Sequence, residues 1–488
     1  MAFRWLTVPL LAALLAGCGG TDDGAIDVTF IDTPESLFAS GVRLSSGAQH
    51  LRAATGAGLV ALDAEGETVP ALADRWIVTD DGRSYIFRLR DGNWPNGDDL
   101  TAESARTALR EALGRLRGTS LGLDLAPVDE IRAMAGRVIE IRLSSPVPML
   151  LQLLAQPELA LTHGVGGSGD MLLDRDANRA VLAMKPPAAR GIPEEQNWSQ
   201  YVRPVRISAA RGADAVRQFD DGEVDIVLGG RLDTLPLVDT GPLSRGTVRL
   251  DPALGLFGLQ VRRGSGFLAS ADNRGAIAEA IDRDALIEPF GIGGWVPTTR
   301  IVAPGLPGDP GTVAERWEDA DIDERRAAAA ARVNAWRGAN GGKMPRVTLA
   351  LGRGPGLDML FSELATQLGE IGVRLERVPE GRPADLVLVD RVARYAEPRW
   401  FLDQFNCSLG NGMCSSEADA LVRDASIQAD PVSRATVFAQ AESELLRANV
   451  FIPFGSPVRF SLVRGNVEGF VANPWAFHPL PPLAVIPK

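Results

Sequence analysis

The side chains able to do chemistry are few and poorly arranged for catalysis. His50, His163 and His478 are the only histidines, and none sits in a metal-ligand spacing such as HExxH. Each is expected to be a surface or hydrogen-bonded structural residue. Ser168 lies in a glycine-rich run, but a GxSxG nucleophile elbow fails because Asp170 takes its last place. Gly352, Gly354 and Gly356 imitate a nucleotide loop, yet the third glycine is misplaced and no Lys-Ser/Thr follows, so a strand-to-helix turn is expected. Asp319, Asp321 and Asp323 imitate the start of a calcium loop. Glu324 stands where glycine is needed and Ala330 where the bidentate glutamate belongs, so these acids are expected to cap the helix that follows. No catalysis, no metal centre and no cofactor is expected.

Three cysteines are present. Cys407 and Cys414 lie in one short polar loop and, in an oxidising compartment, should pair. The loop-entropy model gives so short a closure on the order of 2 kcal/mol, a local staple. Cys-x6-Cys without neighbouring His or Cys is poor for zinc, which wants four ligands. Cys18 follows Met1-Ala-Phe-Arg4 and an apolar run from Leu6 to Ala16. A run of about eleven residues is too short for a membrane span, which needs about 20, but it suits a signal peptide. Leu15-Ala16-Gly17-Cys18 resembles a bacterial lipobox, which implies that residues 1–17 are removed and Cys18 is lipidated. Residues 18–24 then form a tether, and the chain is expected in the cell envelope, held to a membrane by its anchor.

The 50 positive residues include only three lysines, Lys185, Lys343 and Lys488, so 47 are arginines. Arginine holds carboxylate or phosphate as a planar fork, whereas lysine acts as a point charge. Composition bias accounts for most of this surplus. The formal charge of −12 supplies no basic stripe for a duplex, which excludes nucleic acid as a partner.

With 488 residues and 45% hydrophobic side chains, the chain is long enough for about three domains. Short strands and turns follow one another from Gly58 through Tyr85 to Leu89, and Thr101 opens a helix as its N-cap. Later segments alternate: a strand at 224–228, a strand at 256–261, one helix over 273–287, a helix over 324–337, strands at 347–351 and 386–389, and one or two helices over 418–449. This alternation predicts α/β lobes with mainly parallel sheets.

The stretch Pro70, Leu72, Ala73, Trp76, Asp81-Gly82, Tyr85, Phe87, Leu89, Gly92, Trp94-Pro95-Asn96-Gly97 and Thr101-Ala102 closely resembles the signature of the family 5 extracellular solute-binding proteins, the oligopeptide and dipeptide receptors of ABC importers. Asp221-Gly222-Glu223-Val224-Asp225-Ile226, Ala280-Ile281-Asp282-Arg283 and Tyr395-Ala396-Glu397-Pro398 extend the similarity over most of the chain. The resemblance implies an α/β, two-lobed periplasmic-binding-protein fold (type II, cluster C-like) with an additional β-rich domain. It divides the chain into a discontinuous first lobe (25–57, 160–250 and 456–488), an inserted β-rich domain (58–159) and a second lobe (251–455). It also implies a monomer that binds a peptide or other small molecule and serves an ABC permease and ATPase complex. A lipoprotein that kept the fold as a sensor or assembly partner is the alternative.

Departures from the family bear on the ligand. Where peptide-binding members carry a tryptophan and then an aspartate that meets the peptide ammonium, this chain has Arg391 and Arg394. They follow the strand at 386–389, at the end of a strand where open α/β sheets bind ligands. Arginines there suit a carboxylate or phosphate, so an anionic or peptide-like solute is expected; solvated arginines on a divergent loop are the other role open to them. Tyr395 and Trp400 are placed to line the cleft by stacking, with burial in the core as their alternative. The family's GTGPY turn is degraded to Gly167-Ser168-Gly169-Asp170-Met171.

Overall fold

The structure, a computed structural model, describes residues 24–164, 166–239 and 246–486. The signal segment and the lipidation expected at Cys18 lie outside them.

Two large sheets carry the architecture. The first has seven strands in the order Val248–Leu250, Arg459–Val463, Ile226–Arg231, Ile26–Ile31, Val205–Ala210, Arg179–Met184 and Met171–Asp176. The second has five: Arg374–Val378, Arg346–Ala350, Leu386–Val392, Gly255–Val261 and Phe451–Gly455. Between residues 58 and 159 the chain forms a two-stranded sheet, Val60–Leu62 with Thr68–Pro70, and a four-stranded antiparallel sheet of Ala73–Val78, Ser84–Leu89, Val138–Leu143 and Val128–Met134.

The expectation of mainly parallel sheets is corrected. In the seven-stranded sheet only Ile26–Ile31 pairs in parallel, with Val205–Ala210 and Ile226–Arg231; the outer pairs are antiparallel. The five-stranded sheet is parallel on one side of Leu386–Val392 and antiparallel on the other. Helical crossovers make the parallel pairs, while chain returns without a crossover add antiparallel strands at the flanks. The hairpin Met171–Asp176 with Arg179–Met184 went unforeseen because Leu172 and Leu173 are adjacent and both exposed, which breaks the alternation that marks a strand.

Capping fixes several helices. Thr101 accepts from the Ser104 backbone at 3.1 Å while Ser104 Oγ accepts from the Thr101 backbone at 3.1 Å, a capping box for Ala102–Arg115. Asp321 caps Ile322–Ala339 through Glu324 N at 2.8 Å. The single helix expected over 273–287 is two, Ala271–Ala280 and Arg283–Ile287. Ile281 is extended, and Asp282 opens the second helix by accepting from Ala285 N at 3.1 Å. Asp430 caps Pro431–Ala448, which separates it from Ser416–Ile427.

The Gly255–Val261 strand is buried at every residue, as a central strand covered on both faces must be. A single apolar cluster runs from Leu109, Leu121 and Leu125 to Trp400, Phe401 and Phe451, so the unit built from residues 58–159 packs directly on elements of the five-stranded sheet's lobe. Among the described residues no helix is long and apolar enough to cross a membrane. Cys407 and Cys414 are disulfide-bonded, with Cα atoms 5.3 Å apart.

Candidate ligand-binding cleft

A cavity of about 530 Å³ lies where the two large sheets face each other. One wall comes from the end of Ile226–Arg231 and the start of Arg459–Val463, the opposite wall from the end of Leu386–Val392. The loop before helix Ser46–Thr55, the segment after helix Ala102–Arg115, residues 156–158, the segment from Trp400 to Asn411 and residues 475–478 also line it. Its size falls within the roughly 300–1,000 Å³ of small-molecule sites.

Arg391 lies within the Leu386–Val392 strand, paired with Leu256, rather than after the strand as expected. Its side chain is open to the cavity, and its one hydrogen bond runs from Nη1 to Gln404 Oε1 at 3.2 Å. Burial pulls its guanidinium below the ordinary arginine range, and Arg262 and Arg394 push the same way. Among the described residues no carboxylate pairs with it. A cation in that position gains most from an incoming anion.

Arg394 is held differently. Its Nη1 donates to Gln156 Oε1 at 2.9 Å and to Glu158 Oε2 at 3.0 Å, and its Nη2 donates to Glu158 Oε1 at 2.8 Å. Glu158 is fully buried. Burial works against the Arg394 charge, but Glu158 outweighs it and the pKa rises. The expectation of a free second clamp at this position is corrected, since the fork is already filled from within the protein.

Tyr395 is also corrected. It is buried away from the cavity wall, and its hydroxyl donates to Asp124 Oδ1 at 2.8 Å. Burial and the neighbouring Asp403 push the Asp124 carboxyl up to about 8. Trp400 is among the residues around the cavity, but it is only 2% exposed and belongs to the apolar core, the alternative role open to it. Its indole nitrogen is shut off from solvent and has no hydrogen-bond partner among the described residues.

The remaining charges on the wall are mostly matched. Arg459 donates from Nη1 to Asp390 Oδ1 at 2.6 Å and from Nη2 to the Asp390 carbonyl at 3.2 Å. Asp251 stands 3.3 Å from His478 Nε2 and accepts from the Asn473 backbone at 3.0 Å. Arg43 and Arg231 reach the cavity with no ion-pair partner among the described residues. His50 is a structural residue: its ring lies 2.6 Å from the Ser46 carbonyl, accepts from the His478 backbone at 3.0 Å, and burial lowers its pKa to about 3. Sequence reasoning missed Glu158, although a glutamate inside the apolar stretch Leu150 to Leu161 is itself a signal for a buried partner.

The family model for bacterial extracellular solute-binding proteins, family 5 Middle, matches residues 67–191 and 194–412. The chain belongs to this family. It is therefore a binding protein by family, not an enzyme. The dipeptide-binding protein DppE of Bacillus subtilis is 22% identical, over 86% of this chain and 84% of that protein. The probable deoxycholate-binding periplasmic protein YgiS of Escherichia coli is 34% identical, but the match spans 21% of this chain and only 22% of that protein. Among solved structures, Haemophilus influenzae OppA in complex with the peptide RPPGFSPFR superposes with a TM-score of 0.82 at 16% identity, covering 95% of this chain and 99% of that one. The murein tripeptide binding protein MppA of Escherichia coli gives 0.81 at 19% identity, covering 95% and 99%. The unliganded open form of MppA gives 0.66 at 18% identity, covering 95% and 98%. The family fold of this solute-binding protein is thus the two-lobed one that the sequence implied.

Proposed function

We propose that this solute-binding protein is the ligand-capturing subunit of an ABC importer, that it closes two lobes over a small anionic solute, and that Arg391 is the anchor. The observation that carries the anionic reading is the open Arg391 guanidinium, whose one bond is to Gln404 Oε1. Two of the three carboxylates on the cavity wall, in contrast, are held by arginines, Glu158 by Arg394 and Asp390 by Arg459, and the third, Asp251, is buried, with Oδ1 accepting from the Asn473 backbone and Oδ2 lying 3.3 Å from His478 Nε2. Among the described residues a peptide's α-ammonium finds no carboxylate there that is both exposed and unpaired, while an anion finds a fork it can fill bidentately.

Family membership and full-length similarity to a dipeptide-binding protein support solute capture for a permease. In this reading, Cys18 carries the lipid anchor, residues 25–57, 160–250 and 456–488 form one lobe, 251–455 the other, and 58–159 the added domain. Binding shifts an open–closed equilibrium because only the closed form offers the solute both walls.

The test is a thermal-shift screen of organic acids, phosphates and peptides, followed by calorimetry on the best binder with Arg391→Ala. The reading expects an anion as best binder and at least a tenfold loss of affinity, about 1.4 kcal/mol. A cationic peptide as best binder, or unchanged affinity, contradicts it.

A further inference from the structure

The charge balance of the cavity says more than its sign. Five arginines face it, Arg43, Arg231, Arg391, Arg394 and Arg459, against three carboxylates, Glu158, Asp251 and Asp390. Two of those arginines are used in ion pairs, Arg394 with Glu158 and Arg459 with Asp390. Counting His478 as neutral, the side chains lining the wall carry a net charge of +2, and just outside the lining Asp233 offsets part of the Arg231 charge without forming an ion pair with it.

The unmatched arginines are divided between the walls. Arg391 belongs to the five-stranded sheet and Arg231 ends a strand of the seven-stranded one. Arg43 precedes helix Ser46–Thr55, whose Ala54 and Leu51 pack in the apolar core of that same seven-stranded sheet. Closing an empty cleft brings these like charges together and is opposed by their repulsion. A solute with one anionic group answers one wall only. A solute with two answers both, and the second contact exists only when the lobes are closed, which is the differential affinity that drives closure.

We propose that the solute is a dianion without a free ammonium group, one acidic group on Arg391 and the other on Arg231 and Arg43, bridging the two sheets. This rests on the anion-capturing reading above and narrows it to a class, the dicarboxylates.

The experiment uses the complete mature chain and these probes: valerate against glutarate, its match in chain length, the longer diacids adipate and pimelate, and the dipeptide Ala-Ala. Calorimetry gives affinity and small-angle scattering gives closure. The expected result is that at least one dianion binds ten times or more tighter than valerate and contracts the protein, while valerate does not. The double variant Arg43→Gln/Arg231→Gln should reduce that advantage to less than threefold. Arg391→Gln should weaken both kinds of acid. A monoanion that binds and closes the protein as well as the dianions, an advantage that survives in the double variant, or no binding by any dianion overturns the proposal. If Arg391→Gln leaves all acid binding intact, or Ala-Ala is the best probe, the anion-capturing reading itself fails, and the two failures are told apart.

Discussion

Arg394 and Glu158 meet in a two-point ion pair, Nη1 to Oε2 at 3.0 Å and Nη2 to Oε1 at 2.8 Å, across 236 residues of sequence. The pair ties the end of the five-stranded sheet's strand Leu386–Val392 to the turn Pro157–Leu159 on the cavity rim. It separates the roles of two arginines only three positions apart: Arg394 is consumed in structure, and Arg391 is left for a partner from outside.

Removing one member of a buried pair leaves the other charge unpaired, which costs about 3–5 kcal/mol. Arg394→Ala is therefore expected to lower the melting temperature sharply. The double variant Arg394→Gln/Glu158→Gln should recover most of that loss, because neither charge remains. Arg391→Ala should leave the melting temperature nearly unchanged. Thermal denaturation of the three variants checks this, and equal losses for Arg391→Ala and Arg394→Ala would go against it.

Asp124 gives the pH dependence a sign. Its carboxyl is pushed from an ordinary 3.8 up to about 8 by burial and by Asp403, with Arg399, Tyr395 and Arg394 working in the opposite direction. The folded protein therefore holds this proton more tightly than the unfolded chain does. The stability it contributes is full below about 4 and is lost as pH rises toward about 8. Asp124→Asn keeps an acceptor for the Tyr395 hydroxyl and cannot ionise. Its melting temperature should fall less than that of the parent between pH 5 and 8.5; parallel curves would refute the assignment.

Gly356 marks how closely the lobes approach. Its backbone donates to the Asp233 carbonyl at 3.0 Å, and a Cβ there would stand 1.9 Å from the Leu232 carbonyl oxygen. Leu232 and Asp233 follow the Ile226–Arg231 strand of one sheet, while Gly356 opens the helix Pro355–Glu370 behind a strand of the other. Gly356→Ala should hinder closure, weakening solute affinity tenfold or more and leaving the unliganded melting temperature within a few degrees of the parent. Calorimetry and thermal denaturation together read this. Full affinity in the variant would show that the contact is not part of closure.

The disulfide loop forms part of the cavity, since Leu409 and Asn411 between Cys407 and Cys414 line it. Replacing both cysteines with serine should cost about 2 kcal/mol or less by the loop-entropy model and lower solute affinity a few-fold by loosening that wall. Reduction of the parent protein should reproduce both effects.

What was legible in the sequence is what depends on neighbours along the chain. Thr101 and Asp321 announced their helices because a cap needs only the next turn, and Cys407 and Cys414 are separated by seven positions. The family signature between Pro70 and Thr101 gave the two-lobed architecture. What was not legible depends on register and on distant partners. Whether a strand pairs in parallel is set by how the chain returns to the sheet, so the antiparallel flanks were missed. Tyr395 and Trp400 looked alike as aromatic cleft residues, yet Tyr395 is committed to Asp124, 271 positions away. Arg391 and Arg394 looked like one clamp until Glu158 and Gln156 were found on Arg394 and a lone Gln404 contact on Arg391.

The most direct measurement is a calorimetric titration of the parent and Arg391→Ala with the tightest-binding solute from the screen. The account predicts an acidic solute and an affinity at least tenfold weaker in the variant, with melting temperature preserved. Equal affinity in the two proteins, or a cationic peptide as the tightest solute, would contradict it.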